Sequence, residues 1–106
     1  MRLPNSDSLL IEDALACLRC AQDLERRLRQ RNEMIEQYDY RIESEADRSA
    51  VRVLQNRRAS LERDRQCVKM DLADQQRRWN RYRSELIWRG LVRAEHVEEQ
   101  LPLLIK

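Results

Sequence analysis

Helix breakers are almost missing from this chain. It has a single glycine, Gly90, and two prolines, Pro4 and Pro102, placed at its margins. Gly and Pro carry the large helix-propensity penalties, so nothing between residues 5 and 89 forces the backbone out of a helix. Aromatics are only 5% of residues, too few for an ordinary globular core, whereas charged residues reach 38%. That balance fits long helix or coiled coil, in one structural unit of 106 residues. No apolar run approaches the roughly 20 residues needed to cross a bilayer. The amino terminus MRLPNSDSLL has no signal-peptide apolar segment, so a soluble, cytosolic chain is expected.

Ligating and catalytic groups are scarce as well. Cys17 and Cys20 form a C-x-x-C, but only Cys67 and His96 are on offer to complete a metal site. Cys17 also falls on an apolar seam, where cysteine acts as a small hydrophobe. His96 is the only histidine and sits in the solvated sequence EHVEE. There is no Gly-rich loop and no nucleophile motif. The sequence therefore reads as a non-enzyme with no cofactor and no metal.

What is present is periodicity. Leu10, Ala14, Cys17, Ala21, Leu24, Leu28, Arg31, Ile35, Tyr38 and Ile42 follow one another at alternating spacings of three and four. That is the heptad signature of a coiled coil. A second seam runs Val51, Leu54, Arg58, Leu61, Arg65, Val68, Leu72, Gln75, Trp79, Tyr82 and Leu86. Its phase is two residues off the first, about 200° around a helix. A chain reversal within ESEADRSA, residues 43 to 50, removes the conflict, with Ser44, Asp47 or Ser49 as the cap of a second helix. That segment lacks the Gly that often ends a helix, so one continuous, dimerising helix stays open as an alternative.

The predicted fold is all-α, two long helices forming an antiparallel coiled-coil hairpin. Its boundaries are an amino-terminal tail at 1–7, helix 1 at 8–43, a turn at 44–49, helix 2 at 50–100 and a tail at 101–106. Pairing about the turn sets Leu10 near residue 84, so helix 2 outruns helix 1 from about residue 86. Residues 1 to 50 hold 8 basic and 11 acidic groups and residues 51 to 106 hold 13 and 8, so an acidic arm lies on a basic one. Arg58, Arg65 and Gln75 interrupt the second seam; their stems can snorkel and their head groups can fix register, the alternative being that they merely loosen a marginal coil.

The stretch RRWNRYRSELIWRGL, residues 77 to 91, concentrates aromatic surface among arginines. Trp79, Tyr82 and Leu86 continue the seam and are expected to pack on Leu10, Ala14 and Cys17. Trp88 falls off it. With Ile87, Leu91 and Val92 it has little of its own chain to bury against, which marks a partner surface. The alternative is that residues 90 to 106 fold back across the open end, bending at Gly90. Six arginines against one glutamate in residues 77 to 93 can also contact phosphates. Low net charge and the missing nucleic-acid signatures argue against that use, leaving an RNA-binding hairpin dimer as a third reading.

A short helical hairpin whose carboxy-terminal arm reads RRWNRYRSELIWRGLVRAEHVEEQ, residues 77 to 100, resembles the stalk proteins of bacterial type III secretion ATPases, the FliJ/YscO/InvI (SpaM) group. The order Trp79, Tyr82, then Trp88-Arg89 and an acidic, glutamine-bearing tail looks like the virulence-type members. LACLRCAQDLERRL, residues 15 to 28, is more weakly similar. The resemblance implies a non-enzymatic stalk, cytoplasmic and peripheral at the inner-membrane apparatus, monomeric alone, binding neither nucleic acid nor the membrane interior. Its partners would be the type III export ATPase hexamer, an export gate protein and secretion chaperones. Carried over, the ATPase-facing surface comprises Ile87, Trp88, Arg89, Leu91, Val92 and Arg93. The gate-facing tip comprises Glu43, Glu45, Asp47, Arg48 and Arg52. The rival from another class is a cytosolic secretion chaperone or adaptor that takes a partner helix into the same apolar surface.

Overall fold

A computed structural model describes residues 5 to 104. The fold is all-α: two long helices form an antiparallel, coiled-coil-like hairpin, and no strand occurs among the described residues. Helix α1 spans Asn5–Ser44 and α2 spans Arg48–Trp88. A four-residue helix α3, Val97–Gln100, runs directly into a 3-10 turn at Leu101–Leu104. Among the described residues no helix is long and apolar enough to cross a membrane.

The reversal occupies three residues, Glu45 to Asp47, and needs no glycine. Asp47 caps α2 in both ways open to an N-cap: its Oδ1 accepts from Ser49 N at 3.0 Å, and its carbonyl accepts from Val51 N at 2.9 Å. At the end of α1, Ser44 Oγ donates back to Tyr40 O at 2.6 Å, four residues earlier. Glu45 Oε1 then accepts from Asp47 N at 3.1 Å. The turn is thus closed by side-chain caps without a left-handed residue, and the phase jump between the seams is a chain reversal.

The chain divides into two compact units, and both long helices contribute to each. The unit of residues 23–72 holds the turn. Its core is a thin row of buried apolar residues: Leu24, Ile35, Leu54, Val68 and Leu72. Between them the interrupting arginines reach across to the other helix. Arg58 pairs with Asp39 and also with Glu62, Arg31 pairs with Asp64, and Arg65 donates to Asn32 Oδ1 at 3.2 Å. Asp39 meets Arg58, while Arg31 and Asn32, farther from the turn, meet Asp64 and Arg65, so the two helices run antiparallel. The three arginines therefore fix an antiparallel register while their stems cover the apolar row.

The second unit, residues 1–22 with 73–106, carries most of the burial. Ile11, Ala14, Leu15, Cys17 and Leu18 from α1 meet Trp79 and Leu86 from α2, with Tyr82 and Leu10 packed at the margin. Trp79 and Tyr82 lie opposite the small Ala14 and Cys17, as the seam spacing predicts. Val92, Val97 and Leu101, from beyond α2, complete this cluster.

That last feature corrects the expected boundary of the second helix, which ends at Trp88 and does not continue to residue 100. The cause is Gly90, at φ +71°, the left-handed region that L side chains avoid. Gly90 N donates to Ile87 O and Leu91 N donates to Leu86 O, both at 3.0 Å. These two bonds are the Schellman closure, with Leu91 and Leu86 in the same cluster as its accompanying apolar contact. Beyond it the chain is held by Arg83, which donates to Ala94 O at 2.8 Å, and by Arg93 N, which donates to Gln100 Oε1 at 2.8 Å. Residues 91 to 104 thus form a strap across the open end of the hairpin.

Candidate protein-docking surface

The strap divides the six residues assigned to the partner surface. Val92 is buried at 6% exposure, and Ile87 and Leu91 are half-buried against the same cluster. Their apolar groups meet the chain's own strap, so the expected bare overhang is not there. The fold-back alternative is the arrangement observed over residues 90 to 104. Trp88 goes the other way. It ends α2 pointing off the seam and is 82% exposed, more than any other large apolar side chain among the described residues.

The two arginines also separate. Arg89 bridges the ends of both helices, donating to Glu85 Oε1 at 2.7 Å and to Asp7 Oδ1 at 2.9 Å. Hydrogen bonding to Glu85 first, then to Asp7, raises its already high pKa. Asp7 lies in the first turn of α1, where a carboxylate is favoured by the helix dipole. Arg89 is therefore committed to its own chain. Arg93 is exposed; its backbone N–H donates to Gln100 Oε1 and its carbonyl accepts from His96 N, while its side chain makes no ion pair among the described residues.

Around Trp88 lies a surface that the seam spacing does not mark. An open groove of roughly 660 Å³ is lined by Asn80, Arg81, Ser84, Glu85 and Trp88. A neighbouring groove of roughly 610 Å³ continues along α2 past Asp74, Arg77 and Arg78, sharing Asn80 and Arg81. Arg77 pairs with Asp74 and Glu85 with Arg89, while Arg78 and Arg81 make no ion pair among the described residues. Arg77, Arg81, Ser84 and Trp88 are spaced by four, three and four, so they form an outward stripe on one side of α2. The signal was in the sequence, but an arginine stripe on a helix is the ordinary solvated face and does not stand out until Trp88 is seen at its end.

The residues assigned to the tip, Glu43, Glu45, Asp47, Arg48 and Arg52, are all exposed. Glu45 and Asp47 spend hydrogen-bonding capacity on the turn itself. Near them on α1 lies a further open groove of roughly 580 Å³, lined by Glu33, Glu36, Gln37, Tyr40 and Arg41, with Tyr40 73% exposed.

Cys17 is buried in the cluster and its thiol faces Gln75, at 3.3 Å from both the backbone oxygen and Oε1. Burial, with a smaller effect from Cys20, pushes its pKa up; Arg78 opposes this. A thiol held neutral is a poor nucleophile and a poor ligand. Cys20 and Cys67 are exposed, and no group of three or more metal-ligating side chains occurs among the described residues. His96 pairs with Glu99 at 3.1 Å on the strap's outer side. These arrangements stabilise the fold and leave an aromatic, cationic face exposed on α2. No family model, curated protein or solved structure matches the chain.

Proposed function

We propose that this protein is a non-enzymatic coiled-coil stalk component of a bacterial type III secretion apparatus, contacting the export ATPase hexamer and the export gate. The observation that carries the reading is Trp88: a large aromatic, 82% exposed, sharing a groove with Arg81, which makes no ion pair among the described residues. Exposed Trp with Arg is the composition of a binding hot spot. The ATPase-facing surface is then Trp88 with Arg81 and Arg93, in place of the wider apolar set. Guanidinium groups there meet acidic pore residues with planar, bidentate geometry. The resemblance of residues 77 to 100 to the stalk proteins supports the same assignment, and the exposed turn supplies the second contact, at the gate.

The chaperone or adaptor reading loses its main support. It requires an open apolar groove for a partner helix, and Val92, Val97 and Leu101 fill that position. The test is titration of the purified protein into the export ATPase from the same genome, following hexamer assembly and hydrolysis at moderate salt. Binding with stimulation supports the stalk. No binding to the ATPase, with tight binding to a secreted helical protein, moves the assignment to the chaperone.

A further inference from the structure

Two outward helix faces have no partner among the described residues, and they are complementary. The α2 face ends on Trp88 and contains Arg81, which no carboxylate engages among the described residues. Its one acidic member, Glu85, is already bound by Arg89 at 2.7 Å. The α1 face ends on Tyr40 and contains Glu33 and Glu36, neither of which has an ion-pair partner among the described residues. Its one basic member, Arg41, is turned onto the Tyr38 ring at 5.4 Å. Glu85 is thus neutralised by its own chain, while Arg41 keeps its charge but is outnumbered by Glu33 and Glu36. What is left facing outward is cationic on one face and anionic on the other. Both are open grooves of similar size, roughly 660 and 580 Å³, and each carries one exposed aromatic ring.

We infer that a second copy of this chain is the occupant: the Arg81–Trp88 face of one molecule docks on the Glu33–Tyr40 face of another. The spacing suits helix-on-helix contact, because Arg81, Ser84 and Trp88 on one side and Glu33, Glu36 and Tyr40 on the other recur at three and four. The small Ser84 between the two larger side chains leaves room for the approaching helix. Such a contact joins unlike surfaces, so it is heterologous, and successive copies add head to tail unless the rotation closes a ring. A contact of two short faces falls in the weak class, below about 1,200 Å² in total. It is carried by exposed charges that salt screens. The protein is then a monomer when dilute and associates as concentration rises. Association hides Trp88, so any other partner of that face competes with it.

Sedimentation equilibrium over a concentration series at low and high salt decides the matter. The wild-type mass should rise with concentration and fall back towards monomer as salt increases. Arg81→Glu should stay monomeric, because it faces Glu33 and Glu36 with a like charge. The double variant Glu33→Arg/Glu36→Arg should stay monomeric for the mirror reason. Mixing the two variants should restore association, because every contact between unlike variants is again of opposite sign. Circular dichroism on each variant verifies that the helices are intact. A wild-type mass that stays monomeric up to about 1 mM, the weak limit of useful affinity, overturns the inference. So does association that survives in both variants unmixed.

Discussion

Leu101 and Leu103 are two residues apart in the same 3-10 turn, yet Leu101 is fully buried and Leu103 is 74% exposed. Replacing each by alanine therefore separates a strap that packs from one that merely lies nearby. Leu101 shares its cluster with Ile11, Leu15 and Leu86, so truncation removes apolar contact and leaves a void. Buried Leu→Ala changes cost about 2–5 kcal/mol, the lower end applying where the surroundings can collapse. A strap near a chain end can collapse, so about 2–3 kcal/mol is expected. For a chain of this size that lowers Tm by roughly 8–24 °C, at about 4–8 °C per kcal/mol. Leu103→Ala should stay within about 0.5 kcal/mol of the parent, as surface changes do. Thermal unfolding followed at 222 nm gives the magnitudes. Amide hydrogen exchange should show protection lost first over residues 92 to 104. Equal melting of the two variants would refute the packed strap and restore the bare overhang.

Three other outcomes follow from the same geometry. Gly90→Ala should destabilise by about 1–2 kcal/mol through the left-handed backbone alone, since nothing lies within 4 Å of the added Cβ; unchanged denaturant midpoints would mean that the Schellman closure is not what ends α2. Cys17 has a raised folded pKa, so the unfolded thiol, near 8.5, ionises first. Its contribution is full below that pH and is lost as pH rises towards the folded value, so stability should fall above about pH 8.5 by up to ~1.4 kcal/mol per unit. Cys17→Ala should flatten that limb in chemical denaturation, with Cys20 and Cys67 left in place; an identical slope in the variant would show that Cys17 is not the group responsible.

The helices, their antiparallel pairing and the inward tryptophan were legible because heptad spacing reports directly on which face is buried. The two-residue phase shift between Ile42 and Val51 carried the turn, even without glycine. What was less legible was everything governed by a single backbone dihedral. Nothing in residues 87 to 101 says whether Gly90 continues a helix at modest cost or ends it in a left-handed turn. Both are ordinary for glycine, and the choice reverses the fate of Val92 and Leu101. The same dihedral decided the site. Ile87, Leu91 and Val92 look like a binding surface only if the helix runs on, whereas Trp88 is outward whether it does or not. Arg89 was misplaced for a different reason: its partner Asp7 lies at the other end of the sequence, and no local pattern connects them.

The most direct measurement sets the two tryptophans side by side, with melting and ATPase binding recorded on the same preparations. Trp79, 8% exposed, is core and Trp88, 82% exposed, is the proposed contact. Trp79→Ala should cost about 3–5 kcal/mol, as aromatic truncations in a core do. Trp88→Ala should melt with the parent while losing binding to the export ATPase by tenfold or more, the loss of roughly 1.4 kcal/mol or above expected of a hot-spot aromatic. ATPase binding that is unchanged in Trp88→Ala, or absent in the parent protein, would contradict the stalk assignment.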